Sequence, residues 1–235
     1  MIVGTKKEFE ALAEYILLDY RKTKNLALYE PIDIEDFATT YLGMHLKYKS
    51  FEDQGIAGMR CGTEIVLDER LKEEQRLGEH NFTLAHECAH ELINWQDENF
   101  SEGLIKQYRT QRPRKQLITD HDFAEWQANV VAAYLLMPPD IVGWCMFTFA
   151  RKEKIKLYGD YYMAKEDRMA VSCIKSYLKV SRQALMIRLK ELDLIEYHPI
   201  DEYYDTVRFM DMLKYPEPDW RCYYGKKNQA RSRLY

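Results

Sequence analysis

The sequence contains no apolar run approaching the roughly 18 residues that a membrane-crossing helix needs, no internal repeat and no low-complexity tract. These absences predict an ordinary soluble globular protein. Its five cysteines (Cys61, Cys88, Cys145, Cys173, Cys222) are scattered, odd in number and without C-x-x-C spacing. That pattern suits free thiols in a reducing cytoplasm better than a disulfide framework, with Cys88 read as a small buried hydrophobe. An excess of positive charge is also missing: the net charge of −4 gives no global attraction to nucleic acid, so any basic patch must be local. The first seven residues lead directly into a charged amphipathic segment, with no long apolar stretch before a small-residue cleavage site. A non-secreted, cytoplasmic protein is expected.

What is present is enough for a real core. The 235 residues are 46% hydrophobic and 31% charged, suiting one domain or a core with a smaller appendage. Three- and four-residue apolar spacing predicts a helix over 7–21, and Asp33 is placed to cap a second one ending near Gly43. Strands are expected at 45–51 and as a hairpin over 56–67 around Gly62-Thr63, together forming a small antiparallel sheet. The basic connection over 97–120 reads as a solvated loop or a flap near a site. Residues 121–137 form a strongly apolar helix stopped by Pro138-Pro139, and 140–150 predicts another. A helix, tight turn and helix follow over 166–192 with Ser181 as the second N-cap, before a tyrosine-rich tail from His198.

The chemistry centres on His86-Glu87-Cys88-Ala89-His90, an H-E-x-x-H pattern. On a helix the two histidines lie about 40° apart at the border of an apolar arc of Phe82, Ala85, Cys88, Ala89, Leu92 and Ile93. From there both Nε2 atoms can converge on one ion, zinc by ligand type, with manganese or iron also able to use such ligands. Glu87 is the candidate general base. A zinc peptidase keeps three protein ligands and an open position, so a third ligand is required. The candidates are Glu125, Asp122, His121, Glu91 and Glu98. Glu125 is favoured, because it shares a polar and small-residue stripe with His121, Ala128, Asn129 and Ala132 on a separate apolar helix. His121 is the alternative ligand, or a donor to the oxyanion of the transition state.

The blocks Phe82-Thr83-Leu84-Ala85-His86-Glu87-x-x-His90 and Glu125-x-x-Ala128-Asn129-x-x-Ala132-Ala133-x-Leu135-Leu136-Met137-Pro138 resemble the ImmA/IrrE family of zinc metallopeptidases. Val180 to Leu189 is similar to that family's helix-turn-helix-like segment. The resemblance spans about 43–194. It departs from the common pattern at Cys88-Ala89 and Val130-Val131, both compatible with helix packing. It implies an α+β fold: a zincin-like core at 1–140, a helical helix-turn-helix-like region at 141–197 and a C-terminal arm at 198–235. By the same resemblance the protein is a cytoplasmic site-specific endopeptidase with one zinc per chain on His86, His90 and Glu125, and Glu87 as base. Its substrate would be a helix-turn-helix repressor. Such enzymes receive the substrate backbone on an edge strand, for which Glu64, Ile65, Val66 and Leu67 are the candidates. Asn129 would orient a ligand, with core packing or capping as its other reading.

Two other classes compete. A DNA-binding regulator would use 169–192, but Arg182, Arg188 and Lys190 are offset there by Glu191 and Asp193, a poor face for phosphates. A toxin-antitoxin-type interaction protein with structural zinc would need a closed coordination shell, and no fourth ligand is evident.

Overall fold

The computed structural model describes residues 5–53, 55–97 and 120–214, and within these the side chains of 94–97, 120, 121 and 206 are not described. The chain opens with helix α1 (Lys6–Lys24), whose first turn is closed by the Glu8 carboxylate accepting from the Thr5 N–H at 2.7 Å. Asp33 caps α2 (Ile34–Asp36), accepting from the Glu35 and Asp36 amides at 3.0 and 3.2 Å. That helix runs into a π-helical turn at Phe37–Tyr41.

Strands β1 (His45–Lys49), β2 (Gly58–Cys61) and β3 (Glu64–Asp68) form one sheet in the order β1-β3-β2. The expected hairpin is present as the antiparallel β2–β3 pair, but β1 pairs with β3 in parallel. The sheet is therefore mixed rather than antiparallel. After β1 the chain passes over to lay down β2 on the far side, which leaves β3 in the centre with Ile65 and Leu67 fully buried.

Helix α3 (Leu77–Asp97) and helix α4 (Asp120–Leu136) pack against each other along the centre of the molecule. Ala85, Cys88 and Ala89 of α3 and Ala128 and Ala132 of α4 are fully buried, so small side chains bring the two helices close. The Cys88 thiol is pushed above its ordinary pKa by burial, as befits a core residue. The connection at 98–119 and the tail at 215–235, with Cys222, lie outside the described residues.

Helix α5 (Pro139–Cys145) leads through a second π-helical turn (Met146–Ala150) to β4 (Ile155–Tyr158), then to α6 (Lys165–Leu178) and α7 (Arg182–Glu191). Ser181 caps α7, accepting from the Ala184 amide at 3.1 Å. β4 pairs in parallel with β5 (Ile195–His198), forming a second sheet that was not expected from the sequence. Two short helices, α8 (Ile200–Glu202) and α9 (Arg208–Lys214), complete the described chain.

One continuous hydrophobic core runs from Phe9 to Ile195 and joins α1 through β5. Arg188 of α7 is buried within it, donating from Nε to the Met137 carbonyl at 3.0 Å and from Nη1 to Glu10 and Glu191, each at 3.1 Å. Gly78, in the first turn of α3, lies against the α6–α7 turn. A Cβ there would come within 2.3 Å of the Ser181 nitrogen. Three residues on, Asn81 Nδ2 donates to the Lys179 carbonyl at 3.0 Å, and its Oδ1 accepts from Nδ1 of buried His80 at 3.1 Å. The motif helix is thus fastened at its start to a turn about a hundred residues later. Among the described residues no single helix is long and apolar enough to cross a membrane.

Candidate metal centre

α3 and α4 bring His86, His90 and Glu125 together across their interface, with one potential ligand atom from each lying within 4.8 Å of the others. His86 Nε2 is 3.1 Å from Glu125 Oε2, His90 Nε2 is 3.3 Å from Glu125 Oε1, and the two Nε2 atoms are 3.1 Å apart. Two atoms bound tetrahedrally at about 2.05 Å from one zinc would be spaced roughly 3.3 Å apart. The triangle of donors therefore fits one small cation. Two facing ring nitrogens are a weak hydrogen-bonding pair on their own, because one of them must supply the only proton. Both their lone pairs would be used by an ion between them.

Asn129, one turn beyond Glu125 on α4, accepts from His86 Nδ1–H at 3.1 Å through Oδ1. This fixes the imidazole tautomer with its Nε2 lone pair turned toward His90 and Glu125. The Glu125 side chain is 40% exposed and Asn129 is also exposed, so the polar stripe of α4 borders an open cleft rather than a sealed interior. His121 is on α4, but its side chain is not among those described. Glu98 lies outside the described residues, and Asp122 is on the first turn of α4, outside the three-ligand group.

Glu87 is buried beside the two histidines. Burial holds its carboxyl above the usual range, with Glu125 adding to the effect and the nearby His86 and Arg60 opposing it. Burial also depresses the His90 pKa, which keeps the ring neutral and able to ligate.

The wall facing Glu87 is β2 rather than the 64–67 segment. Glu64, Ile65, Val66 and Leu67 belong to central β3, paired on both sides, so that segment cannot accept a further strand. β2 is bonded only to β3 among the described strands, and Gly55 through Arg60 line the cleft together with His86, Glu87, His90 and Glu125. A Cβ at Gly58 would lie 2.7 Å from Thr83 Cγ2 and 3.5 Å from Glu87 Oε1, so only glycine lets the strand approach this closely. Two residues on and on the same face, Arg60 forms an ion pair with Glu91, one turn past Glu87 on α3. Glu91 is thus engaged by the strand and stands outside the ligand triangle.

Arg60 and Gly58 were not singled out from the sequence, although two-residue strand periodicity places them on one face. What was missing was the knowledge that this face meets α3.

The sequence matches the IrrE N-terminal-like domain of peptidase family M78 over residues 39–190, well over half of the chain. The chain belongs to the M78 peptidase family. No curated protein matches it. The matched segment contains β1 to β3, both helices of the ligand triangle and nearly all of α7. Family membership makes the chain a peptidase of a metallopeptidase family, acting on a protein substrate. The His-His-Glu group is the metal site open to it among the described residues.

Proposed function

We propose that this M78 member is a zinc-dependent, site-specific cytoplasmic endopeptidase whose substrate is a helix-turn-helix transcriptional repressor. The observation that carries the enzymatic part is the ligand triangle with a buried carboxylate, Glu87, immediately beside it and, opposite, an edge of β2 that pairs with no other strand among the described residues. His86, His90 and Glu125 would hold one zinc. When bound, it would polarise a water molecule and bring its pKa toward neutrality. Glu87, buried beside the triangle, would serve as the general base for the attacking water and as the acid that protonates the departing amine. Burial makes this carboxylate a stronger base than a solvated one. Asn129 keeps His86 in the ligating tautomer, and His121 is kept as a candidate donor to the developing oxyanion. The substrate backbone would add as a fourth strand to β2, whose free edge lies along the cleft.

The repressor reading rests on the resemblance to ImmA/IrrE peptidases. Within it, 1–140 carries the chemistry, 141–197 docks substrate and 198–235 is an arm. Direct DNA binding by the α6–α7 unit is disfavoured, because Arg188, in the second of its helices, is buried and tied to Glu10 and Glu191. The test is incubation of the purified protein with the product of a neighbouring repressor-like gene. One discrete cut is expected, made by wild type and absent with Glu87→Gln, while metal analysis finds about one zinc per chain in both. Undiminished cleavage by Glu87→Gln would sink the assignment.

A further inference from the structure

We infer that an apolar recess beside the cleft is the pocket that selects the substrate, accepting a large aliphatic or aromatic side chain of the polypeptide lying on β2. This rests on the peptidase reading above. The recess, a cavity of about 540 Å³, opens between α3, α4 and α7 and is lined chiefly by Phe82, Trp126, Val130, Ala133, Met137 and Ile187. It adjoins the cleft directly, because Ala57, Phe82 and Thr83 line both. Ala57 immediately precedes Gly58, the residue that meets Glu87. With a rise of about 3.3 Å per strand residue, a chain paired with this edge passes the recess within one or two residues of the bond being attacked.

The lining dictates the chemistry. Charged groups at its rim already have partners, Glu79 with Arg76 and Glu191 with both Arg188 and Lys6. Arg188 also lines the recess; its Nε and Nη1 are committed to Met137, Glu10 and Glu191 while its buried Nη2 has no partner among the described residues, so the lining is mainly apolar with one guanidinium edge. Ile187 is 54% exposed, so apolar surface already stands in water where an incoming side chain would cover it. α7, packed beside the catalytic helices, thereby becomes part of the specificity machinery.

The experiment uses a mixture of random decapeptides and the zinc-loaded full chain, with cut sites read by mass spectrometry. Large apolar residues are expected to be enriched at one fixed position close to the cut. Ala133→Phe, which fills the recess, and Ile187→Asp, which charges its mouth at an exposed and permissive position, should each lower kcat/KM on such peptides about 10- to 100-fold, mainly through KM. Cleavage with no such enrichment, or enrichment that survives both substitutions, overturns the inference. Retention of the same peptides on immobilised Glu87→Gln protein separates the two readings. Apolar-selective retention that Ile187→Asp abolishes, without any cleavage by wild type, would keep the pocket and remove the peptidase. Retention without apolar selectivity would remove the pocket whether or not cleavage occurs.

Discussion

Arg60 on the free edge of the sheet is ion-paired with Glu91 on α3, one turn beyond Glu87. The pair holds β2 against the helix carrying three of the four residues proposed for chemistry, and both side chains are about four-fifths buried. Arg60→Ala would leave the Glu91 carboxylate partly buried without its cation. A loss of about 1 to 2 kcal/mol in stability is expected, intermediate between exposed and fully buried pairs. Denaturant titration checks it, and adding Glu91→Ala should restore part of the loss.

Gly58→Ala tests the same contact sterically. The new methyl would meet Thr83 Cγ2 at 2.7 Å and Leu67 Cδ2 at 2.9 Å. Leucine can swing its terminal carbon away, but the branched threonine side chain is stiff. About 1 to 3 kcal/mol of destabilisation is expected. Thr83→Ser removes the clashing methyl, so a Gly58→Ala/Thr83→Ser double variant with no recovery of stability would refute this account.

Asn129→Ala removes the acceptor for His86 Nδ1–H from an exposed position. Zinc affinity should fall about 10- to 100-fold with little change in metal-free stability. Asn129→Asp keeps an acceptor and should stay near wild type in a competition titration with a chelator.

Asp68 gives a pH signature away from the candidate metal centre. Hydrogen bonds from Arg70 hold its carboxyl down to about 2, with the Phe51 amide contributing. A depressed folded-state pKa stabilises the fold above the unfolded carboxylate pKa of about 4. That contribution is lost as pH falls toward 2. The stability difference between wild type and Asp68→Asn should therefore be full at pH 6 and shrink steadily below pH 4 in denaturant melts. A difference that is constant across that range would contradict the linkage.

Much of the site was legible because it is written in helical phase. The His86 and His90 spacing, and the Glu125 and Asn129 spacing, are each one helical turn, and the small-residue stripe beside Glu125 signalled that helix's approach to another. Strand order was not legible. Whether β2 or β3 faces solvent depends on β1 pairing in parallel across the hairpin, a non-local event with no trace in the turn itself. β4 escaped for a similar reason: four residues, one of them Lys156, become a strand only because Ile195–His198 arrives about forty positions later. Arg188 was counted with Arg182 and Lys190 on a poor phosphate-binding face, and nothing local reveals that Glu10 awaits it in α1.

The hydrogen bond between Asn81 and Lys179 closes a span of 98 residues onto the start of the helix that bears the histidines. Contacts of that separation form late, because chain entropy must be lost before they give anything back. The folding reaction should accordingly be slow for a mostly helical protein. During synthesis, the proposed metal ligands stay without their final support until the ribosome has released the turn at Lys179.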